Sequence, residues 1–256
     1  PLVSVTTAPP INNGNQTSYS GVTGTCSENG RPVAVSIGSI AVSPVPSCGA
    51  GAWSAGSVNA SGLADGVVTV TASQSDIAGN IGTGSRDTLK DVGVPVVTVT
   101  TAPAINFANR LAYSGVTGSC SENGLPVNVT IGSVGASPAP ICSSGGWTAP
   151  ATNVSSLPDG VVVVSAAQTD AAGNVGSGTR NTTKDATLPV VTVATAPPIN
   201  LANQASYTGV SGSCSENGLP VTVTIGAITA SPSPNCTAGS WSAAAINATS
   251  VPVGTV

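Results

Sequence analysis

A segment that occurs three times at constant spacing constrains this chain more than any other sequence feature. It runs from Tyr19 to Trp53 and returns at 113–147 and 207–241. Equivalent residues lie 94 positions apart (113 − 19 and 207 − 113). This period exceeds the roughly 20–50 residues of a solenoid repeat and has the size of a small independent domain. The sequence therefore predicts a tandem array of near-identical modules.

The period places the modules at residues 1–94, 95–188 and 189–256. Val256 aligns with Val162, inside a predicted strand, so we expect the third module to lack its final strands. One interpretation is that the chain is a window of a longer array. The alternative is that another chain supplies the missing strands, as in donor-strand complementation.

The residue pattern within a module predicts short antiparallel strands. Only 6% of residues are charged, and Val and Thr are frequent between turn residues, which include 31 Gly and 20 Pro. Apolar residues alternate with polar ones, so one set faces the core. The inward-facing residues of the first module are predicted to be Val3, Val5, Val33, Val35, Ile37, Val68, Val70 and Ala72. About seven such strands per module predict an all-β fold, an antiparallel β-sandwich.

Asn29-Gly30 is the strongest turn signal of the module. Asn-Gly between two strands is typical of a type I′ hairpin turn, in which both central residues have positive φ. We therefore predict a hairpin here, between a strand ending near Cys26 and one that carries Val33.

The six cysteines occur as two per module at a constant separation of 22 (48 − 26, 142 − 120 and 236 − 214). Metal binding is the competing reading, but the chain has no His and no paired short C-x-x-C spacing. The predicted disulfides indicate an oxidising, extracytoplasmic compartment. They are Cys26–Cys48, Cys120–Cys142 and Cys214–Cys236.

Five stretches of the first module resemble the bacterial immunoglobulin-like repeats of long surface adhesins and biofilm-associated proteins. They are residues 8–12 (APPIN), 19–30 (YSGVTGTCSENG), 51–53 (GAW), 63–66 (LADG) and 76–80 (DIAGN). The resemblance covers essentially the whole chain. It implies immunoglobulin-like sandwiches stacked end to end as a rod, forming an extracellular stalk.

Acidic and amide side chains near the predicted module boundary are candidate Ca²⁺ ligands. Calcium binds six to eight oxygens, and a loop and a linker together could supply some of them. The alternative is that the aspartate of each loop caps its own turn through hydrogen bonds. The candidate residues are Asp76, Asn80, Asp91, Asp170, Asn174 and Asp185.

Other candidate sites have a structural interpretation beside the functional one. Glu28, with its equivalents Glu122 and Glu216, is a solvated turn residue or an unpaired catalytic acid. Trp53, like Trp147 and Trp241, covers the core or forms a ligand platform. Without His or a phosphate-binding loop, the chain offers an enzyme almost no catalytic groups. Its net charge of −4 argues against nucleic acid, and no apolar run is long enough to insert in a membrane.

These observations favour a non-enzymatic structural protein, the stalk or fibre of a bacterial surface adhesin. The expected partners are the neighbouring modules of the same chain. Two alternatives stay open. One is a repeated module that binds a surface glycan or protein through avidity, and the other is a filament subunit that contacts other copies by strand exchange.

Overall fold

The fold is taken from a computed structural model, which describes residues 1–252 and 254. The predicted alignment of Val256 with a mid-strand residue lies outside the described residues. The chain divides into two compact units, of which the first spans Pro1–Ala186 and the second begins at Thr187. The first unit therefore contains the first copy of the repeat and residues 95–186 of the second.

The first copy forms seven strands and one turn of 3-10 helix, Gln16–Ser18. The strands are β1 (Val3–Thr7), β2 (Thr23–Cys26), β3 (Ala34–Ile37), β4 (Ile40–Ala41), β5 (Ala52–Ser54), β6 (Gly66–Ser75) and β7 (Ile81–Lys90). They form a three-stranded sheet in the order β1-β2-β5 and a four-stranded sheet in the order β4-β3-β6-β7. All the strand pairs are antiparallel. The all-β sandwich is confirmed.

The core of this copy lies between its two sheets. Along β6, Val68, Val70 and Ala72 are buried, whereas Thr69 and Thr71 between them are exposed. All eight residues predicted to face inward belong to the same buried cluster. The two-residue period of the sequence therefore identified the core faces correctly.

The hairpin predicted at Asn29-Gly30 is wrong. β2 pairs with β1 and β5, while β3 pairs with β4 and β6, so this segment crosses from one sheet to the other. Only Gly30 has a positive φ, of 79°. The Asn29 side chain instead accepts a hydrogen bond from the Gly51 N–H at 2.8 Å, and the Gly30 N–H donates to the Cys48 carbonyl. These bonds hold the crossing segment against the loop that contains Cys48 and Gly51.

The second copy repeats this architecture. Its strands are β8 (Val97–Thr101), β9 (Ile105–Asn106), β10 (Thr117–Cys120), β11 (Val127–Ile131), β12 (Val134–Gly135), β13 (Gly146–Thr148), β14 (Gly160–Thr169) and β15 (Val175–Asp185). One sheet has the order β13-β10-β8 and the other the order β12-β11-β14-β15-β9. The short β9 pairs with β15 in parallel, where the first copy has a single parallel bridge between Ile11 and Lys90.

The second unit contains the described part of the third copy. Its elements are a 3-10 turn, Gln204–Ser206, and β16 (Ser211–Ser213), β17 (Thr224–Ile225), β18 (Ile228–Thr229) and β19 (Ser240–Ser242). Its own buried cluster includes Tyr207, Val210 and Trp241.

All six cysteines are paired as predicted. Cys26–Cys48, Cys120–Cys142 and Cys214–Cys236 each join positions 22 residues apart, with Cα–Cα distances of 5.9, 6.0 and 5.9 Å. The cysteine residues are themselves buried in the core clusters. Each disulfide therefore cross-links a core that contains few large side chains.

Candidate functional site

The loop between β14 and β15, residues Asp170–Asn174 (the junction loop), is stabilised by its aspartate. Asp170 Oδ1 accepts hydrogen bonds from the backbone N–H groups of Ala172 (2.9 Å) and Asn174 (2.8 Å). Asp170 Oδ2 accepts one from Asn174 Nδ2 at 2.7 Å. Asp76 receives the same bonds from the backbone and side chain of Asn80 in the loop between β6 and β7. The aspartate therefore caps its own turn in both copies.

The junction loop also contacts the first copy of the repeat. Asn174 Nδ2 donates to the backbone carbonyl of Asp91 at 2.9 Å, and Asn174 Oδ1 accepts the Asn13 N–H at 2.8 Å. Asn12 Nδ2 donates to the carbonyl of Ala172 at 2.9 Å. Three hydrogen bonds thus join residues of successive repeats within the first compact unit.

The junction loop is more buried than the equivalent loop of the first copy, residues 76–80, because it contacts the neighbouring module. Ala172 and Asn174 are each only 4% exposed, whereas the equivalent Ala78 and Asn80 are exposed. A Cβ added at Gly173 would lie 3.2 Å from Asn12 Nδ2, but one added at Gly79 would have no neighbour within 4 Å. The two loops have the same internal bonds, so the difference is the presence of the neighbouring module.

The orientations of the two asparagine amides follow from their backbone partners. A backbone N–H can only donate and a carbonyl can only accept, so Asn174 must direct Oδ1 to Asn13 and Nδ2 to Asp91. Asn12 accepts the N–H groups of Gly14 and Asn15 through Oδ1, which leaves Nδ2 for Ala172. Neither amide could be turned over without losing these bonds.

The hydrogen bonds of the loops also lower the pKa of their aspartates. At Asp76 the largest cause is the bond from the Asn80 side chain, and the pKa of that carboxyl lies below its usual value. At Asp170 burial acts to raise the pKa, but the bonds from the Asn174 side chain and from the loop backbone outweigh it. These hydrogen bonds therefore favour the ionised form of both carboxyl groups.

The structure brings together three of the six predicted calcium ligands. Asp91, Asp170 and Asn174 meet at the junction. Asp76 and Asn80 lie at the opposite end of the ten-residue β7 from Asp91, about 30 Å away at the usual rise of a strand. Asp185 is the last residue of β15. Among the described residues, no group of three or more His, Cys, Asp or Glu side chains is arranged to hold a metal ion.

Two residues of the junction, Asn12 and Asn13, were not predicted as site residues. The signal for Asn12 was present, because Asn follows Pro-x-Ile in every copy, at positions 12, 106 and 200. Position 13 carries no such signal, since its equivalents are Phe107 and Leu201. It contributes only its backbone N–H, which any residue except proline supplies.

The aromatic residues considered for a ligand platform are buried. Trp53, Trp147 and Trp241 are each 3% exposed, and Tyr19, Tyr113 and Tyr207 are also buried. Trp53 Nε1 donates to the carbonyls of Ser4 (3.1 Å) and Thr25 (3.2 Å). The tryptophans therefore belong to the core, and the polar end of each indole is satisfied by the sheet beside it.

The glutamates lie at the crossing between sheets. The backbone N–H of Glu28 donates to Gln74 Oε1, and Gln74 Nε2 donates back to the Glu28 carbonyl at 2.9 Å. Glu122 and Gln168 repeat this pair in the second copy. The Glu28 side chain accepts a hydrogen bond from Ser27 Oγ. These hydrogen bonds position the backbone of the turn.

A cavity of about 860 Å³ lies within the second unit. Its lining includes Val221, Val223 and Ile225, the equivalents of Val127, Val129 and Ile131 on β11. In the second copy β11 pairs with β14.

No family model and no curated protein matches this chain. A tetra-tandem repeat from the extending region of a large adhesion protein is 26% identical, with 97% of this chain covered and a TM-score of 0.34. The chain is similar to adhesin repeats. It spans 66% of the length of that structure.

Two further solved structures are similar over most of the chain. A Ca²⁺-stabilized adhesin, described as helping an Antarctic bacterium reach out and bind ice, is 23% identical. The match covers 96% of this chain and 66% of the adhesin, with a TM-score of 0.39. Fibronectin(III)-like modules of Clostridium thermocellum CbhA are 14% identical, with 72% and 94% covered and a TM-score of 0.45. Among the described residues, no helix has the length and apolar character needed to cross a membrane.

Proposed function

We propose that this chain is a non-enzymatic structural segment of an extracellular adhesin or fibre, which acts by setting a distance between its two ends. The observation that carries the proposal is the contact between successive modules. The second copy docks on the first through side-chain and backbone hydrogen bonds at a short linker. Modules that contact their sequence neighbours in this way form quasi-one-dimensional arrays.

The disulfides support the same role. Each closes a segment inside one core, and such bonds are typical of proteins that act outside the cytoplasm. The aromatic groups that a repeated binding site would need are buried in that core. Neighbouring modules of the same chain are the partners that this function requires.

Small-angle X-ray scattering of the whole chain tests the proposal. Three modules end to end, each about 34 Å long from ten-residue strands, give a length near 100 Å and a radius of gyration of about 30 Å. A compact chain of 256 residues would instead have a radius of gyration of about 18 Å. A value near the compact figure would contradict the spacer function.

A further inference from the structure

We propose that Asn174 is the residue that fixes one module on the next, and that its amide does so without a bound cation. In this proposal the junction loop is a docking element and Asn12, Asn13 and Asp91 form its receptor. The inference extends the proposed function without depending on it. A compact chain would refute the spacer and leave this junction intact.

The first step of the argument is that Asn174 connects three parts of the structure. Its Nδ2 donates to Asp170 within the loop at 2.7 Å and to the linker carbonyl of Asp91 at 2.9 Å. Its Oδ1 accepts from Asn13, on the first module, at 2.8 Å. A buried amide whose two N–H groups and oxygen are all hydrogen-bonded has one allowed orientation, and so it fixes the loop, the linker and the receptor relative to one another.

The second step concerns the position that a cation would need. A Ca²⁺ bridging Asp170 Oδ2 and the Asp91 carbonyl would lie 2.3–2.6 Å from both oxygens. Asn174 Nδ2 already stands between these two oxygens and donates a hydrogen to each. Asp170 Oδ1 is likewise used by the N–H groups of Ala172 and Asn174. The Asn174 amide therefore occupies the position between the two oxygens that a bridging ion would need.

The third step is that the parts of the junction recur, the receptor asparagine in all three copies and the loop in the first two. Asn106 and Asn200 accept the same local hydrogen bonds as Asn12, from residues two and three positions on. The Asp76–Asn80 loop has the internal bonds of the junction loop, but its asparagine is exposed. The interaction surface therefore fits one kind of partner, another module of this repeat.

The test is nuclear magnetic resonance of the whole chain, with residual dipolar couplings measured in EDTA and in Ca²⁺. In the wild type, couplings from the first and second modules should fit one alignment tensor in both conditions. In Asn174→Ala the two modules should need separate tensors, and the Asn13 amide should exchange with solvent about tenfold faster. Asn80→Ala removes only the equivalent bond within the other loop, to Asp76, and should leave a single tensor.

A second pair of variants changes the receptor. Asn12→Ala removes the bond to Ala172 and should separate the tensors, while Asn106→Ala loses the same local bonds one module later and should not. A single tensor in Asn174→Ala would overturn the proposal. So would loss of the common tensor in wild type on adding EDTA, because a cation would then hold the joint. Separate tensors in Asn80→Ala would also overturn it.

Discussion

Gly24 is the residue on which the packing of Trp53 depends. The two residues face each other across the pair β2 and β5. A Cβ at Gly24 would lie 1.9 Å from the Ser4 carbonyl oxygen and 2.4 Å from Trp53 Cζ2. The indole therefore packs against a position without a side chain, and Gly118 and Trp147 repeat this arrangement.

Gly24→Ala should destabilise the first module by about 3 kcal/mol, because the indole or the β1 backbone must move. Gly49→Ala is the matched control, since a Cβ there has no neighbour within 4 Å. Thermal unfolding followed by tryptophan fluorescence measures both. Equal midpoints for the two variants would contradict the packing argument.

A second prediction at the residue scale concerns a buried lysine. Lys90 is 3% exposed, and its Nζ lies 2.7 Å from Oδ1 of Asp65, whose side chain is 49% exposed. Asp65→Ala should lower the free energy of unfolding by about 1–3 kcal/mol, because a buried ammonium loses its partner. Lys90→Met should cost less than about 1 kcal/mol, since the remaining carboxylate is well solvated.

Chemical denaturation of the two single variants and the double variant measures this effect. If the ion pair itself supplies the stability, both single variants will be equally destabilised. That result would contradict the argument that the cost comes from the unpaired buried lysine. If desolvation of the lysine dominates, the double variant will resemble Lys90→Met.

At the scale of elements, one carbonyl joins the proline segment to the last strand. The Pro9 carbonyl accepts hydrogen bonds from Tyr19 Oη and from Thr88 Oγ1 on β7, both at 2.7 Å. In the second copy, Tyr113 and Thr182 bond to Pro103 in the same way. Proline cannot donate to a sheet, so the segment is held through its carbonyl instead.

This contact predicts alkaline instability. Burial raises the pKa of Tyr19 and of Tyr113, and the hydrogen bonds with Thr88 and Thr182 oppose it only in part. A raised pKa in the folded state means that the stabilisation is complete below the unfolded value, about 10, and is lost as pH rises through the folded value.

Urea unfolding between pH 8 and 11.5 measures whether stability decreases with rising pH as expected. The free energy of unfolding of the wild type should decrease above about pH 10. That of the double variant Tyr19→Phe, Tyr113→Phe should decrease less. The variant should also lose about 1 kcal/mol per hydroxyl near pH 8. The same alkaline slope in both proteins would exclude the two phenols as its cause.

At the scale of the whole molecule, the disulfides limit how far each module can extend. Cys26–Cys48 and Cys120–Cys142 each enclose a separation of 22 residues within a sandwich. A stretched chain cannot lengthen across a closed loop, so a pulled module should retain part of its length. A retained length of this kind would suit the structural role proposed above.

Single-molecule stretching of the chain with and without reductant measures the retained length. Reduction should lengthen each unfolding step of the first two modules by about 70 Å, from 22 residues at roughly 3.3–3.6 Å each, less the separation of the closed loop. Cys26→Ala with Cys48→Ala should lengthen one step without reductant. Steps of unchanged length after reduction would refute the predicted limit on extension.

The sequence by itself determined the features that depend on short-range pattern. The 94-residue period predicted the repeated sandwich, alternation along Val68, Val70 and Ala72 predicted the buried face, and constant spacing predicted the disulfides. These features are readable because side chains alternate along a strand and because the repeat presents each pattern more than once.

Only the tertiary structure decided which segments meet. The sequence signal at Asn29-Gly30 was that of a hairpin, but both flanking strands found their partners elsewhere in the sandwich. The junction joins Asn12 to Ala172 and Asn13 to Asn174, which are 160 and 161 residues apart. Such contacts depend on how two folded modules face each other, and no local propensity or spacing specifies that. The equivalent five-residue loops therefore differ in burial, exposed at Asn80 and buried at Asn174.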